Sequence, residues 1–313
     1  MSDQKPTFDP GLTQQYTGAL SRTINDNGQF NVHRRGGKLR DIHPYLFLIS
    51  IPVPLFVAIV VGTFVIVNLF FASVYLLIGL DHLKGAEASN LESEFLNAFF
   101  FSAHTLTTVG YGNIYPIGAA TNSISAIEAL TGLMLFAIVT GLVYGRFSRP
   151  SARVGFSDRM LVAPYGDGLS LQFRIVNRRS NNLLELNARV TLMTVESVEG
   201  RLRRKFVLLD LERDQIVFFP LTWTIVHPIR PESPLYNKTA ADIAEMQAEF
   251  LVFVKAFDET FGQTVYSRRS YLYNEIVWGA RFTPAFEIDK TGDLRLEMDT
   301  VSSFETVALP PGQ

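Results

Sequence analysis

From Ile42 to Leu80 the chain carries no Asp, Glu, Lys or Arg, although these residues make up 19% of its 313 positions. One helix crosses a bilayer's hydrocarbon core with about 20 apolar residues, so this stretch is too long for a single simple span. Pro44, Pro52 and Pro54 mark where it divides, because proline is accepted at a helix start and breaks an interior. The pattern predicts a short amphipathic helix over 39–51 lying along the interface, with Arg40, Asp41 and His43 at its wet end. A first span then follows over about 52–80.

A second apolar run, about 118–146, holds only Glu128 as a formal charge before its terminal Arg146. Between the runs lies an acidic loop (Asp81, Glu87, Glu92, Glu94) and then "FLNAFFFSAHTLTT". Those apolar residues are too few to cross, and they predict a re-entrant helix over about 93–107. Arg34, Arg35, Lys38 and Arg40 precede the first span, Arg146, Arg149 and Arg153 follow the second, and the loop between holds only Lys84. Positive charge of this kind stays in the cytoplasm, so both termini are expected there. The expected localisation is a cell membrane crossed more than once. Residues 1–38 are polar, lack the apolar core of a signal peptide, and read as a flexible cytoplasmic tail.

Composition closes off other classes. A net charge of −2 gives no pull toward nucleic acid, and the absence of cysteine excludes disulfides and thiolate metal sites. No Walker loop, G-x-G-x-x-G fingerprint or H-E-x-x-H motif is present. The chain is therefore not expected to be an enzyme or to require a cofactor. The missing dinucleotide fingerprint also argues against a two-span channel gated by a nucleotide-binding α/β domain.

The segment "HTLTTVGYGNIYP", 104–116, sits between the two spans. Glycine tolerates positive φ, so a short run containing it can aim successive carbonyl oxygens in one direction. Irregular backbone at membrane depth survives only inside protein or along a water-filled path. The stretch predicts a ring of carbonyls facing an ion. "TTVGYG" after a half-span helix resembles a potassium-channel selectivity filter. The resemblance implies that Thr108, Val109, Gly110, Tyr111 and Gly112 form it. In such filters the carbonyls of the first four, with the Thr108 hydroxyl, replace the hydration shell of K⁺. One loop cannot surround an ion, so four chains must contribute. Tyr111 stands where non-selective relatives often carry Asp, which argues for K⁺ over Na⁺.

After Pro150 the sequence changes to alternating strands. "LSLQFRIVN" puts Leu171, Phe173 and Ile175 on one face and Gln172 and Arg174 on the other, while "EFLVFVKAF" reads as a buried run. Turn signals such as "APYGDG", "RRSNN" and "RPESP" complete the pattern of an immunoglobulin-like β-sandwich over 151–313, interrupted by a helix from Thr239. This half resembles the cytoplasmic domain of inward-rectifier potassium channels, particularly the prokaryotic (KirBac) type. The likeness is carried by "WTIVHPI", "SPLY" and "SRRSYLYNEIVWGARFTP", together with "YGRFSRP" and "RDIHPYL", and covers about 38–290. It implies a homotetramer, this chain with three further identical subunits around one pore, with the two-span domain at 39–150 and a cytoplasmic vestibule below it.

Several residues acquire roles from this resemblance. Phe136, Thr140 and Tyr144 are spaced to share one helix face, and the family places its bundle-crossing gate at Tyr144; an interfacial aromatic belt is the other reading. Gly132 and Gly141 are either hinges or points of close helix packing. Phe136 stands where strong rectifiers carry Asp or Asn to hold cytoplasmic Mg²⁺ or polyamines. Glu128 and His104 are expected to support the filter, Glu128 near it within the span and His104 just behind it. His104 is either a proton sensor or a neutral packed histidine. "DETFGQT" aligns with the loop that narrows the cytoplasmic pore, with Gly262 at its apex and Glu259 as a wall carboxylate; Glu199 and Asp214 are weaker candidates for the same wall. Arg146, Arg149, Arg153 and Lys38 are candidates for anionic lipid headgroups. A non-conducting membrane sensor is the rival from another class.

Overall fold

A computed structural model describes residues 9–18, 22–33, 35–36, 43–87, 89–148 and 153–310. The chain forms two compact units, residues 35–149 and residues 1–34 with 150–313.

The first unit is helical. Helix α1 spans Pro44–Ser50 and α2 spans Val53–Ile78. Of the expected wet end, Arg40 and Asp41 lie outside the described residues, and His43 is exposed at the amino end of α1. A 3₁₀ turn and the strand β1 (Leu83–Lys84) follow, and β1 pairs with β2 (Tyr115–Pro116). Between them runs α3, Leu91–Leu106. It begins two residues earlier than 93 because Asn90 caps it. The Asn90 side chain accepts from the Ser93 amide at 2.8 Å, and Ser93 Oγ accepts from the Asn90 amide. At 16 residues α3 reaches about 24 Å, short of the roughly 30 Å core. Helix α4, Ala119–Phe147, completes the unit. Both α2 and α4 are long and apolar enough to cross a membrane.

Lipid is as apolar as leucine, so these helices hold together by close packing and internal hydrogen bonds. Ala72 of α2 and Ala98 of α3 are fully buried beside Phe71, Tyr75 and Phe101. The two alanines let the backbones approach, and the Tyr75 and Phe101 rings meet edge to face at 5.0 Å. Lower down, Ile49, Phe56 and Leu142 join α1, α2 and α4.

The second unit is a two-sheet sandwich. One sheet contains β6 (Leu183–Val198), β7 (Arg201–Leu209), β8 (Gln215–Phe218), β10 (Glu249–Asp258) and β11 (Gln263–Leu272), in the order β11-β10-β6-β7 with β8 also on β6. The other contains β3 (Val154–Phe156), β4 (Met160–Tyr165), β5 (Gly168–Asn177), β9 (Thr222–Ile229) and β12 (Ile276–Trp278), with β9 on the free side of β5. Leu171, Phe173 and Ile175 face Phe250, Val252 and Val254 in the shared core. Arg174, on the other face of β5, is buried too. Its guanidinium stacks 4.6 Å over Phe282 and donates to the Thr283 carbonyl at 2.7 Å. Phe282 ends β13 (Ala280–Phe282), and the chain closes with the small ladders β14 (Phe286–Ile288) to β15 (Leu294–Leu296) and β13 to β16 (Phe304–Thr306). The predicted helix is α5, Ala240–Glu245, capped by Thr239 and Asp242.

The amino-terminal stretch is not a free tail. Leu12 and Ile24 pack on Met193, Phe206 and Leu251, on the outer face of the β6–β10 sheet. Thr23 donates its amide and its hydroxyl, each at 2.8 Å, to the two oxygens of buried Glu249. Ser270 donates to the Ile24 carbonyl at 2.9 Å, and Arg22 pairs with Glu275. This strap buries the first part of "EFLVFVKAF" on both faces, covering the outward Leu251 as well as the inward residues, while Lys255 and Phe257 nearer its end are exposed.

His227 of β9 is a buried histidine within the resemblance motif. The Asp210 carbonyl, 2.6 Å from Nδ1, can only accept, so Nδ1 carries the proton and Nε2 accepts from Ser233 at 2.7 Å. Burial pushes its pKa below the usual 6.5, opposed by the Asp210 carbonyl. The folded state holds it neutral, so the unfolded chain takes up the proton first as pH falls. Its contribution is complete above about 6.5 and is lost below that value, down to the folded pKa. We expect the melting temperature of the parent to fall on acidification from pH 7 toward 5, and His227→Gln to flatten that part of the profile.

Candidate functional site: the pore loop and its supports

The turn after α3 is built from that helix's own carboxyl end. The His104 carbonyl accepts from the Val109 amide at 2.9 Å and the Gly110 amide at 3.2 Å, and the Thr105 carbonyl accepts from Thr108 at 3.0 Å. Through 108–112 the sign of φ alternates. Thr108, Gly110 and Gly112 are positive at 57°, 54° and 79°, and Val109 and Tyr111 are not. Alternating left- and right-handed backbone turns successive carbonyls toward the same side, whereas a regular strand points them alternately to opposite sides. Thr108 adopts this region without being glycine, at a cost of order 1–3 kcal/mol that surrounding structure must hold. Thr107 through Gly112 are all exposed on the single chain. The carboxyl end of α3, the negative end of its dipole, lies beside this turn and favours a cation.

Of the two residues expected to support the filter, His104 packs by ring contacts. Its imidazole meets Tyr111 edge to face at 4.7 Å and stacks on Phe100 at 6.4 Å. Glu128 is fully buried among α2, α3 and α4, hydrogen-bonded to Tyr75 and Ser102.

The two helix glycines separate. A Cβ on Gly132 would fall 1.8 Å from the Leu106 carbonyl oxygen, whereas a Cβ on Gly141 would meet nothing within 4 Å. Gly132 is therefore the contact that seats α4 against the end of the pore helix, and bending is not needed to explain it. Phe136, Thr140 and Tyr144 are exposed along one side of α4, Phe136 by 72% and Tyr144 by 73%, while Leu142 packs toward α1 and α2.

Arg146 departs from the lipid expectation. Its two terminal nitrogens donate to the carbonyls of Leu48, at 2.6 Å, and Ile51, at 2.7 Å, and its guanidinium lies 4.7 Å over the Phe56 ring. It closes the carboxyl end of α1 against α4, satisfying carbonyls that the short helix leaves without partners. Sequence reasoning placed it with the surface arginines because nothing local shows the carbonyls 95 and 98 positions away. Arg149 and Lys38 lie outside the described residues; Arg153 precedes β3 and is exposed. Arg146→Lys is expected to lose the forked pair and cost about 1–3 kcal/mol per subunit. A thermal melt of the purified protein checks this, and an unchanged melt would return Arg146 to the lipid group.

The proposed acidic wall does not come together as one group. Gly262, φ +60°, sits in the β10–β11 turn as expected, and Glu259 beside it accepts from Asn182 at 2.9 Å. Glu199 lies in the β6–β7 turn, at the opposite end of the 16-residue β6, roughly 50 Å away along that strand. Asp214 is nearer the Glu259 end, where its carbonyl accepts from Ala188. The acid that shapes the Gly262 turn is Asp258, which is fully buried and accepts from the Thr260 amide and Asn181. A single acidic position before Glu259 gave no hint which of the two was buried.

Comparison with known proteins agrees with this geometry. A model of the inward rectifier potassium channel C-terminal domain matches residues 154–312, and an ion channel model matches 48–149. The inward rectifier potassium channel Kirbac3.1 of Paramagnetospirillum magnetotacticum is 35% identical over 281 residues, covering 88% of this chain and 93% of that one. The G protein-activated inward rectifier potassium channel 3 of Mus musculus is 27% identical over 335 residues, covering 99% and 84%. Channel 2 of Homo sapiens is 27% identical over 315 residues, covering 92% and 72%. Two spans, a half-span helix and a carbonyl-aiming turn define the class as a potassium channel. The chain belongs to the inward rectifier potassium channel family.

Proposed function

We propose that four copies of the chain assemble around one axis and pass K⁺ down its electrochemical gradient across a cell membrane, with both termini in the cytoplasm. The carrying observation is the alternating backbone of 108–112, exposed on one chain and therefore free to face three others. In that arrangement K⁺ is held by the carbonyls of Thr108, Val109, Gly110 and Tyr111, with the Thr108 hydroxyl at the inner end. The exposed face of Phe136, Thr140 and Tyr144 lines the inner pore, and four Tyr144 rings close it as an apolar constriction that dewets. Phe136 supplies no charge for Mg²⁺ or polyamines, so steep block within the span is not expected. Glu259 and the Gly262 turn surround the cytoplasmic entrance, where carboxylates concentrate cations. Anionic lipid headgroups interact with Arg149, Arg153 and Lys38 rather than with Arg146.

Reconstitution in liposomes tests this reading. Rb⁺ uptake blocked by Ba²⁺, with little Na⁺ uptake and a particle mass of four chains, is the expected result. Monomeric particles, or Na⁺ passing as readily as Rb⁺, would overturn it.

A further inference from the structure

Behind the pore loop the helices bury a carboxyl group that touches no ion path. Glu128 of α4 has no solvent exposure. The Tyr75 hydroxyl lies 2.6 Å from its Oε2, and Ser102 Oγ is hydrogen-bonded to its Oε1. Ser102 Oγ also stands 3.0 Å from Asn68 Oδ1. The orientation of the Asn68 amide is set by its other end, since Nδ2 donates to the Phe64 carbonyl at 2.7 Å. Turning the amide over would press two carbonyl oxygens together. Oδ1 therefore faces Ser102, and it can only accept.

Counting protons decides the state of the acid. Three oxygen–oxygen contacts run in a chain, Tyr75 to Glu128, Glu128 to Ser102 and Ser102 to Asn68, and each needs one hydrogen. Tyrosine and serine bring one each. The third has a single possible owner. We infer that Glu128 is a carboxylic acid in the folded channel, donating from Oε1 to Ser102 while Ser102 donates to Asn68 and Tyr75 donates to Oε2.

The ionised alternative leaves Ser102 Oγ and Asn68 Oδ1 face to face with no hydrogen between them, or strips the carboxylate of one of its two donors. It also buries a negative charge without a cation. Among the described residues no ion pair includes Glu128. Helix α2 carries no charged side chain. On α3, Glu92 and Glu94 lie in the first turn, and the His104 ring is packed on Phe100 and Tyr111. On α4, Arg146 is occupied by the Leu48 and Ile51 carbonyls. An uncompensated buried charge is costly enough that such a group stays neutral. Glu128 is thus a positioning residue: as an acid it both gives and takes a hydrogen bond, so one side chain ties α4 to α2 and α3 six residues before Thr108.

Infrared difference spectroscopy of the full chain in liposomes at neutral pH, parent minus Glu128→Gln, reads the proton directly and does not depend on conduction. Gln suits the comparison because Nε2 donates to Ser102 and Oε1 accepts from Tyr75, the same pattern as the acid. The expected spectrum contains a protonated-carboxyl C=O band, present in the parent, absent in the variant and shifted down in D₂O. Loss of a carboxylate stretching pair in its place would overturn the inference. Ser102→Ala supplies an independent reading if the first variant fails to assemble. Removing the acceptor of the acid proton should move the C=O band to higher frequency, and an unmoved band would show that the proton is not directed at Ser102.

Discussion

Replacing Gly132 by alanine is expected to abolish Ba²⁺-sensitive Rb⁺ uptake by unseating the pore helix. The new Cβ falls 1.8 Å from the Leu106 carbonyl oxygen and 2.7 Å from its carbon. Both are backbone atoms and cannot rotate aside, so either α4 or α3 must shift. Overpacking costs about 1–3 kcal/mol per site, and in the proposed assembly of four chains the total comes to roughly 4–12 kcal/mol. Leu106 is the last residue of α3 and lies two positions before Thr108, so the displacement is delivered straight to the carbonyl turn. Gly141→Ala is the control on the same helix: its Cβ enters open space, and replacing an interior helix glycine gains about 1 kcal/mol. Flux and the thermal stability of the assembled particle should separate the two variants sharply. Parental flux in Gly132→Ala would mean that α3 and α4 do not meet as described.

Gly110→Ala is expected to leave the assembly intact and remove the preference for K⁺. Gly110 sits at φ +54°, a region costing an L-residue about 1–2 kcal/mol. Relief of that cost in the four chains of the proposed assembly, about 4–8 kcal/mol in all, favours rotation of the adjoining peptide and would turn a carbonyl away from the proposed ion path. Rb⁺ against Na⁺ uptake measures the outcome. Alanine of D configuration, introduced by semisynthesis, accepts positive φ without penalty and should restore discrimination. If L-alanine alone conducts selectively, the handedness of this residue is not what aims the carbonyls.

The two spans, the half-span helix and the pore turn were legible because each rests on a local property: a run without charge, a length too short to cross, a glycine pair. The core face of β5 was legible for the same reason, from strict alternation at Leu171, Phe173 and Ile175. What stayed hidden depends on partners distant in sequence. The strap, residues 9–18 and 22–33, looked like a tail because its polar composition hides two anchors, Leu12 and Ile24. The unusual apolarity of β10 was the available signal, since a strand wet on one face would not need Leu251. Arg146 showed its charge but not the carbonyls it serves. Gly132 and Gly141 are identical as letters, and only the atoms opposite them distinguish a packing contact from open space. Asn90 escaped notice as a cap because its partner is Ser93 rather than the Glu or Gln of the usual capping box.

The strap also changes how the pore segment is tethered. Residues 35–149 are threaded between two pieces of a single folded body, leaving it after the strap and re-entering it at β3. Residues 32–43 separate Asn31, whose amide donates to the Thr23 carbonyl at 3.0 Å, from α1, and residues 148–153 separate α4 from β3. The pore segment is therefore joined to that body at both of its ends, so one cut in either link leaves it covalently attached through the other.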